Sequence, residues 1–219
     1  MSELKYNAQE VANIRSLIGG RVLPGTAATK SNFEAAAGKC QILHLATHGK
    51  SNNDAGHYSF IAFSESADST ENSLFYVKDL QNLHIPAELV VLSACETGIG
   101  ELQKGEGVVS VGKGFSYAGA KSILTTLWQV NDNTTAKLMP LFYKNLQQGH
   151  SKEIALQMAK KAFIANNRDA HPFYWSGYLI FGDMEEMDLP KPFPFWTGGV
   201  LGTLGLGLLG SLLFWWFKR

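Results

Sequence analysis

The chain has 219 residues, 45% of them hydrophobic and 17% charged, with 19 basic and 19 acidic side chains. That length suits one ordinary core plus an appendage rather than two full domains, and the balanced charge leaves no electrostatic footprint for nucleic acid. Two cysteines, Cys40 and Cys95, behind an N-terminus without an apolar signal segment (Met1-Ser2-Glu3-Leu4-Lys5) argue for reduced thiols in a cytosolic compartment.

In chain order, Asn7 with Glu10 three residues on reads as a helix start, Val11, Ile14, Leu17 and Ile18 form one apolar face, and Gly19-Gly20 end it. A second short helix is predicted from Ser31 to Ala37. The runs Ile42 to Ala46, Leu89 to Leu92 and Ile123 to Leu127 are short, continuous and bounded by polar residues or glycine, as buried parallel strands are. Between the first two, Tyr58 to Phe63 and Leu74 to Tyr76 are placed to pair as a hairpin. Helices are predicted at Val108 to Ala118, Thr134 to Gln147 and Lys152 to Ala165. Helices alternating with buried strands predict a three-layer α/β/α sandwich with a mostly parallel sheet, filling residues 1–188.

Asp183 to Asp188 reads as a solvated acidic loop. Pro190, Pro192 and Pro194 then stiffen a linker over residues 189–194. Residues 195–217 carry no charge and have aromatic side chains at both ends; as a helix they would extend about 34 Å, enough for a hydrocarbon core of ~30 Å. A single-pass membrane helix is therefore expected, with residues 1–188 on the cytoplasmic side because reduced thiols need a reducing compartment. Gly199, Thr203, Gly207 and Ser211 recur every fourth residue along it, a small-residue ridge that would let two copies associate as a homo-oligomer in the membrane.

The chemistry sits at the ends of the first two strands, where Thr47-His48-Gly49 and Ser93-Ala94-Cys95 follow their apolar runs. In open α/β sheets ligands bind outside the carboxyl ends of the strands, so parallel neighbours would deliver a thiol and an imidazole to one place. A nearby imidazolium or helix N-terminus lowers a thiol pKa from ~8.5 toward neutrality and populates the nucleophilic thiolate. Alone, Cys95 reads first as a small buried hydrophobe, as most free cysteines are. His44, four residues before His48, shares its strand face, but rings so far apart on a strand do not readily chelate and no third ligand is apparent, so His44 reads as a packed side chain and no metal site is expected. Asp132 and Glu106 are second-tier candidates to line a substrate pocket, and each is equally a helix cap or first-turn charge. Gly98-Ile99-Gly100 and Gly105-Glu106-Gly107 lack dinucleotide-binding spacing, so no nucleotide cofactor is expected.

The segments LHLATHG (43–49), VVLSACETGIG (90–100), GEG (105–107), FSYAGAKSILTTLWQVND (115–132) and LMPLFYKNLQQG (138–149) resemble the CHAT domain, a caspase-like family of clan CD cysteine peptidases often joined to tetratricopeptide repeats. The resemblance runs from about Asn7 to Asp183, and the spacing from His48 to Cys95 is near the ~50 residues of caspases. It implies a cysteine endopeptidase that cuts a protein partner in bacterial signalling, defence or regulated death. His48 and Cys95 would be the catalytic dyad, with the backbone N–H groups of Gly49 and Cys95 as the oxyanion hole and no cofactor. In such enzymes the imidazole need not touch the sulfur; it can protonate the leaving amine. Family members usually have more sequence upstream, so a sheet short of its first core strand and a repeat-containing partner are also expected. The alternative is a non-catalytic, membrane-tethered interaction module, or a C-terminal fragment of a longer repeat-CHAT protein.

Overall fold

The computed structural model describes residues 4–50, 52, 58–66, 72–93, 95–96, 106–168 and 170–189, with the backbone alone at 95–96 and 106–110. Its helices in chain order are α1 (Asn7–Ile18), α2 (Lys30–Ala37), α3 (Glu106–Tyr117), α4 (Asp132–Gln147), α5 (Lys152–Asn166) and α6 (Pro172–Trp175). Its strands are β1 (Ile42–Leu45), β2 (Gly49–Lys50), β3 (Phe60–Ala62), β4 (Leu74–Tyr76), β5 (Leu89–Leu92), β6 (Cys95–Glu96), β7 (Ser122–Thr126) and β8 (Tyr178–Gly182).

The main sheet has the order β1-β5-β7-β8, with β1, β5 and β7 parallel and β8 antiparallel to β7. All four residues of β5 are buried, and they alternate between two cores as the period of two requires. Leu89 and Val91 face a layer built from α1, α4 and α5, where Ile14, Leu138, Phe142, Leu156 and Phe163 pack. Val90 and Leu92 face the opposite layer, where Phe33 and Ala37 of α2 and Val111 and Phe115 of α3 pack. Each fully buried side chain of this size contributes roughly 1.5–3 kcal/mol relative to exposure, which is why the continuous apolar runs settle as central strands. The result is the expected three-layer sandwich with a mostly parallel sheet.

Several local details differ from the sequence reading. The helix N-termini lie one or two residues earlier than predicted in α2, α3 and α4. In α2 the Thr29 hydroxyl accepts the Asn32 N–H at 3.2 Å, and in α4 the Asn131 side chain accepts from Asn133 N at 2.9 Å. Glu10 caps nothing: Tyr6 is the N-cap of α1, and the Glu10 carboxylate turns inward to His44 instead. Strand β8 and the short α6 before it are additional to the predicted elements, as is a second sheet of order β4-β3-β2-β6 at the carboxyl end of the main one. The predicted hairpin is part of that second sheet, with Phe60, Ile61 and Ala62 opposite Tyr76, Phe75 and Leu74.

Among the described residues no helix is long and apolar enough to cross a membrane. The proline linker from Pro190 onward and the apolar stretch 195–217 lie outside them.

Gly182 ends β8 with φ +100°, and a Cβ there would fall on the Lys121 carbonyl oxygen, closer than real Cβ contacts allow. Gly182→Ala is expected to destabilise the fold by at least about 1–3 kcal/mol, because neither the left-handed backbone nor the neighbouring β7 strand can yield. A urea-unfolding midpoint unchanged from wild type would contradict this.

Candidate active site

Where β1 and β5 end, the chain leaves each strand in the same direction and pairs again. The Ser93 N–H donates to Leu45 O at 3.2 Å across the two exits. Two residues later in β6, Cys95 lies opposite Gly49 of β2, in parallel register, with Glu96 opposite Lys50. Neighbouring strands run about 4.8 Å apart, so the backbones of Gly49 and Cys95 are direct neighbours and His48 is the next residue along. The sequence expectation that two parallel strand ends bring these segments together is met at the level of the backbone.

The hairpin fixes the other side of this segment. The Ala62 N–H donates to His48 O at 2.8 Å, and the Thr47 hydroxyl donates to Ala62 O. Because the two faces of a strand's hydrogen bonding alternate, binding His48 O to β3 turns the N–H and C=O of Gly49 toward β6, the side of Cys95. Beneath, Ile61 and Phe75 are buried, and Phe75 packs edge-on to Phe33 with ring centroids 5.2 Å apart. Backbone contacts and a core cluster thus hold the segment around His48, whose side chain is partly buried.

The helix that follows Cys95 starts two residues earlier than the sequence suggests, yet not directly after the cysteine. Helix α3 opens at Glu106, well past Cys95, so chain adjacency does not put its N-terminus at the sulfur. Glu106 itself is the first residue of that helix. Asp132 is the half-buried first residue of α4, beyond the end of β7, which is the second neighbour of β1 in the sheet and so about 10 Å from it. Both acids occupy first-turn positions, where negative charge complements the helix dipole. Both acids thus lie on helices rather than on the strands that carry Gly49 and Cys95.

His44 faces away from the site. Its Nε2 lies 2.9 Å from Glu10 Oε1 and its Nδ1 3.0 Å from the Tyr143 hydroxyl, joining β1 to α1 and α4. A carboxylate only accepts, so Nε2 carries a proton; in the neutral imidazole Nδ1 then accepts from Tyr143. Burial, and after it the Glu10 charge, push the Tyr143 phenol well above its ordinary range, which keeps its donor proton in place. Since β1 stops at Leu45, His44 and His48 do not share one strand. Among the described residues no group of three or more His, Cys, Asp and Glu could hold a metal ion.

Two features at this edge escaped the sequence reading. One is the β2–β6 pairing. The other is the pair Trp128 and Phe173, stacked with ring centroids 5.8 Å apart at an interplanar angle of 21°. A helix-start signal was present for the second, since His171 precedes Pro172 and its Nδ1 accepts the Phe173 N–H at 3.2 Å.

An α/β sandwich that presents His-Gly and Cys on adjoining parallel strand exits has the layout of a caspase-like domain. The CHAT domain model matches residues 1–183, and the chain belongs to that family, whose clan is that of the caspase-like cysteine peptidases. The chain is also 24% identical over 214 residues to tetratricopeptide repeat protein 28 of Homo sapiens, with 84% of this chain and 9% of that protein covered. The same identity and coverage hold for tetratricopeptide repeat protein 28 of Mus musculus. The chain therefore corresponds to a small part of each of these long relatives.

Proposed function

We propose that this CHAT domain is a cysteine endopeptidase acting on a protein partner, with Cys95 as nucleophile and His48 as the group that protonates the leaving amine. The observation that carries the reading is the parallel register of Gly49 with Cys95, with His48 adjacent. In this mechanism the Cys95 thiolate attacks the scissile carbonyl, and the N–H groups of Gly49 and Cys95 donate hydrogen bonds to the developing oxyanion; one such donor is typically worth about 2.7–4 kcal/mol in the transition state. Collapse of the tetrahedral intermediate expels the amine with a proton from His48 and leaves a thioester that water hydrolyses. Asp132 and Glu106 belong to this reading only as outlying contributors to substrate recognition. A membrane tether through 195–217, with the domain on the cytoplasmic side and copies associating through the glycine ridge, is part of the same proposal and rests on the uncharged length of that stretch.

The likeness to tetratricopeptide repeat proteins favours a second reading, in which the domain is a CHAT portion of a repeat-containing assembly and serves as an interaction module without cutting. The two readings differ in the state of one thiol. The Cys40 S–H donates to Ala36 O at 3.2 Å, away from the strand exits that carry His48 and Cys95. An activated Cys95 is expected to be alkylated by iodoacetamide faster than Cys40, resolved by mass spectrometry of brief labelling. Equal labelling of the two would sink the peptidase reading in favour of the module.

A further inference from the structure

Strand β7 ends at Thr126, which pairs with Tyr178 at the start of β8, so the segments just outside them stand together at the same carboxyl edge as His48 and Cys95. On the β7 side these are Leu127 and Trp128; on the β8 side, Phe173 and Tyr174 of α6. Leu127, Phe173 and Tyr174 are 49%, 44% and 38% exposed, an apolar patch at an edge where polar residues would be expected. Trp128 is held in place from two directions. Its indole N–H donates to Phe173 O at 2.9 Å, and its ring lies so close over Gly177 that a Cβ there would approach Cε2 to 2.8 Å and Cζ2 to 3.0 Å. The Leu127 N–H donates to Gly177 O at 2.9 Å, which fixes the same backbone from the other side. The polar atom of the indole is satisfied and the ring positions are set before anything binds, which is how aromatic anchors of recognition sites are built.

We infer that Trp128, Phe173 and their neighbours Leu127 and Tyr174 form a subsite that takes a large apolar side chain of the polypeptide substrate. The inference rests on the peptidase reading and gives it a substrate class. The spacing supports it: from the β5 exit, which carries Cys95, the patch lies one to two strand intervals away, about 5–10 Å, and an extended peptide advances ~3.3 Å per residue. The residue it accepts is therefore two or three positions from the scissile bond. Gly177 is a positioning residue for Trp128.

The test uses the full-length chain and its Phe173→Ala and Gly177→Ala variants on positional-scanning peptides, paired with equilibrium binding of the same peptides to Cys95→Ala, where nothing is cut. Wild type should prefer Phe, Tyr, Trp or Leu at one position two or three residues from the cut by about tenfold in kcat/KM, and both variants should lose that preference. Cleavage that keeps the same preference in Phe173→Ala, which alters an exposed side chain, overturns the subsite and leaves the peptidase reading standing. If no peptide is cut, the peptidase reading fails separately and the binding arm decides: apolar-selective binding that Phe173→Ala abolishes upholds the subsite, and its absence overturns it. Self-association of the chain that depends on Phe173, seen by light scattering without peptide selectivity, assigns the patch to a second copy and overturns it as well.

Discussion

Alanine at His48 or at Cys95 is expected to abolish measurable peptide cleavage while leaving the unfolding midpoint near that of wild type. For His48 the loss should reach about 10²–10⁴ in kcat, the usual contribution of a positioned acid–base group. The separation of the two readouts follows from how the segment is held. His48 is placed by its own carbonyl bonded to Ala62 N, by the Thr47 hydroxyl on Ala62 O and by the pairing of Gly49, none of which uses the imidazole. A fall in activity with unchanged stability therefore reports chemistry rather than folding. The measurement is kcat/KM on a peptide that wild type cleaves, beside a denaturant titration of each variant. Undiminished cleavage in either variant would remove the dyad.

A large stability effect is expected at Glu10. Its carboxylate is buried with His44, and the imidazole is in turn bonded to a fully buried Tyr143. Glu10→Ala leaves the Nε2–H of His44 without its charge-assisted acceptor inside the fold, which costs about 3 kcal/mol, the upper end for a buried donor left unsatisfied. Glu10→Gln keeps an oxygen and the side-chain volume and should cost clearly less. Tyr143→Phe removes only the outer bond of the relay and should fall between wild type and Glu10→Ala. Urea-unfolding curves for the three variants test that order, and a Glu10→Gln as damaging as Glu10→Ala would contradict the hydrogen-bond account.

What could be read from the sequence follows from where the information is local. Strand β5 was legible because four consecutive apolar residues buried on both faces need no partner to be recognised, and β1 and β7 because short apolar runs, interrupted by His44 in one and by Thr125 and Thr126 in the other, are bounded by polar residues or glycine. Helix α1 was legible from its apolar spacing, but Glu10 was misread: Asn7 followed by Glu10 has the form of a capping box, and the partner that claims the carboxylate, His44, is 34 residues away. Strand β8 was missed because Tyr178 to Phe181 is apolar without alternation, and such a short run does not distinguish a strand from a helix end. The two-residue strands β2 and β6 have no signature of their own. Gly49 is a poor strand former, and only the hairpin and the β5 exit make it one. The adjacency of the two strand ends that carry the candidate residues was thus legible. The support around it was not, since it comes from pairings between distant segments.

The position of β2 inside the second sheet has a consequence for how any extended peptide can dock. With β3 on one side and β6 on the other, β2 offers no edge for strand addition. Among the described residues the outer strands of that sheet are β4 and β6, and β6 is two residues long. A peptide that augments β6 gains a rung or two of main-chain hydrogen bonds, each worth about 0.5–1.5 kcal/mol net. At these two residues that is too little to hold a ligand by its backbone, so discrimination among sequences there falls to pockets for individual side chains.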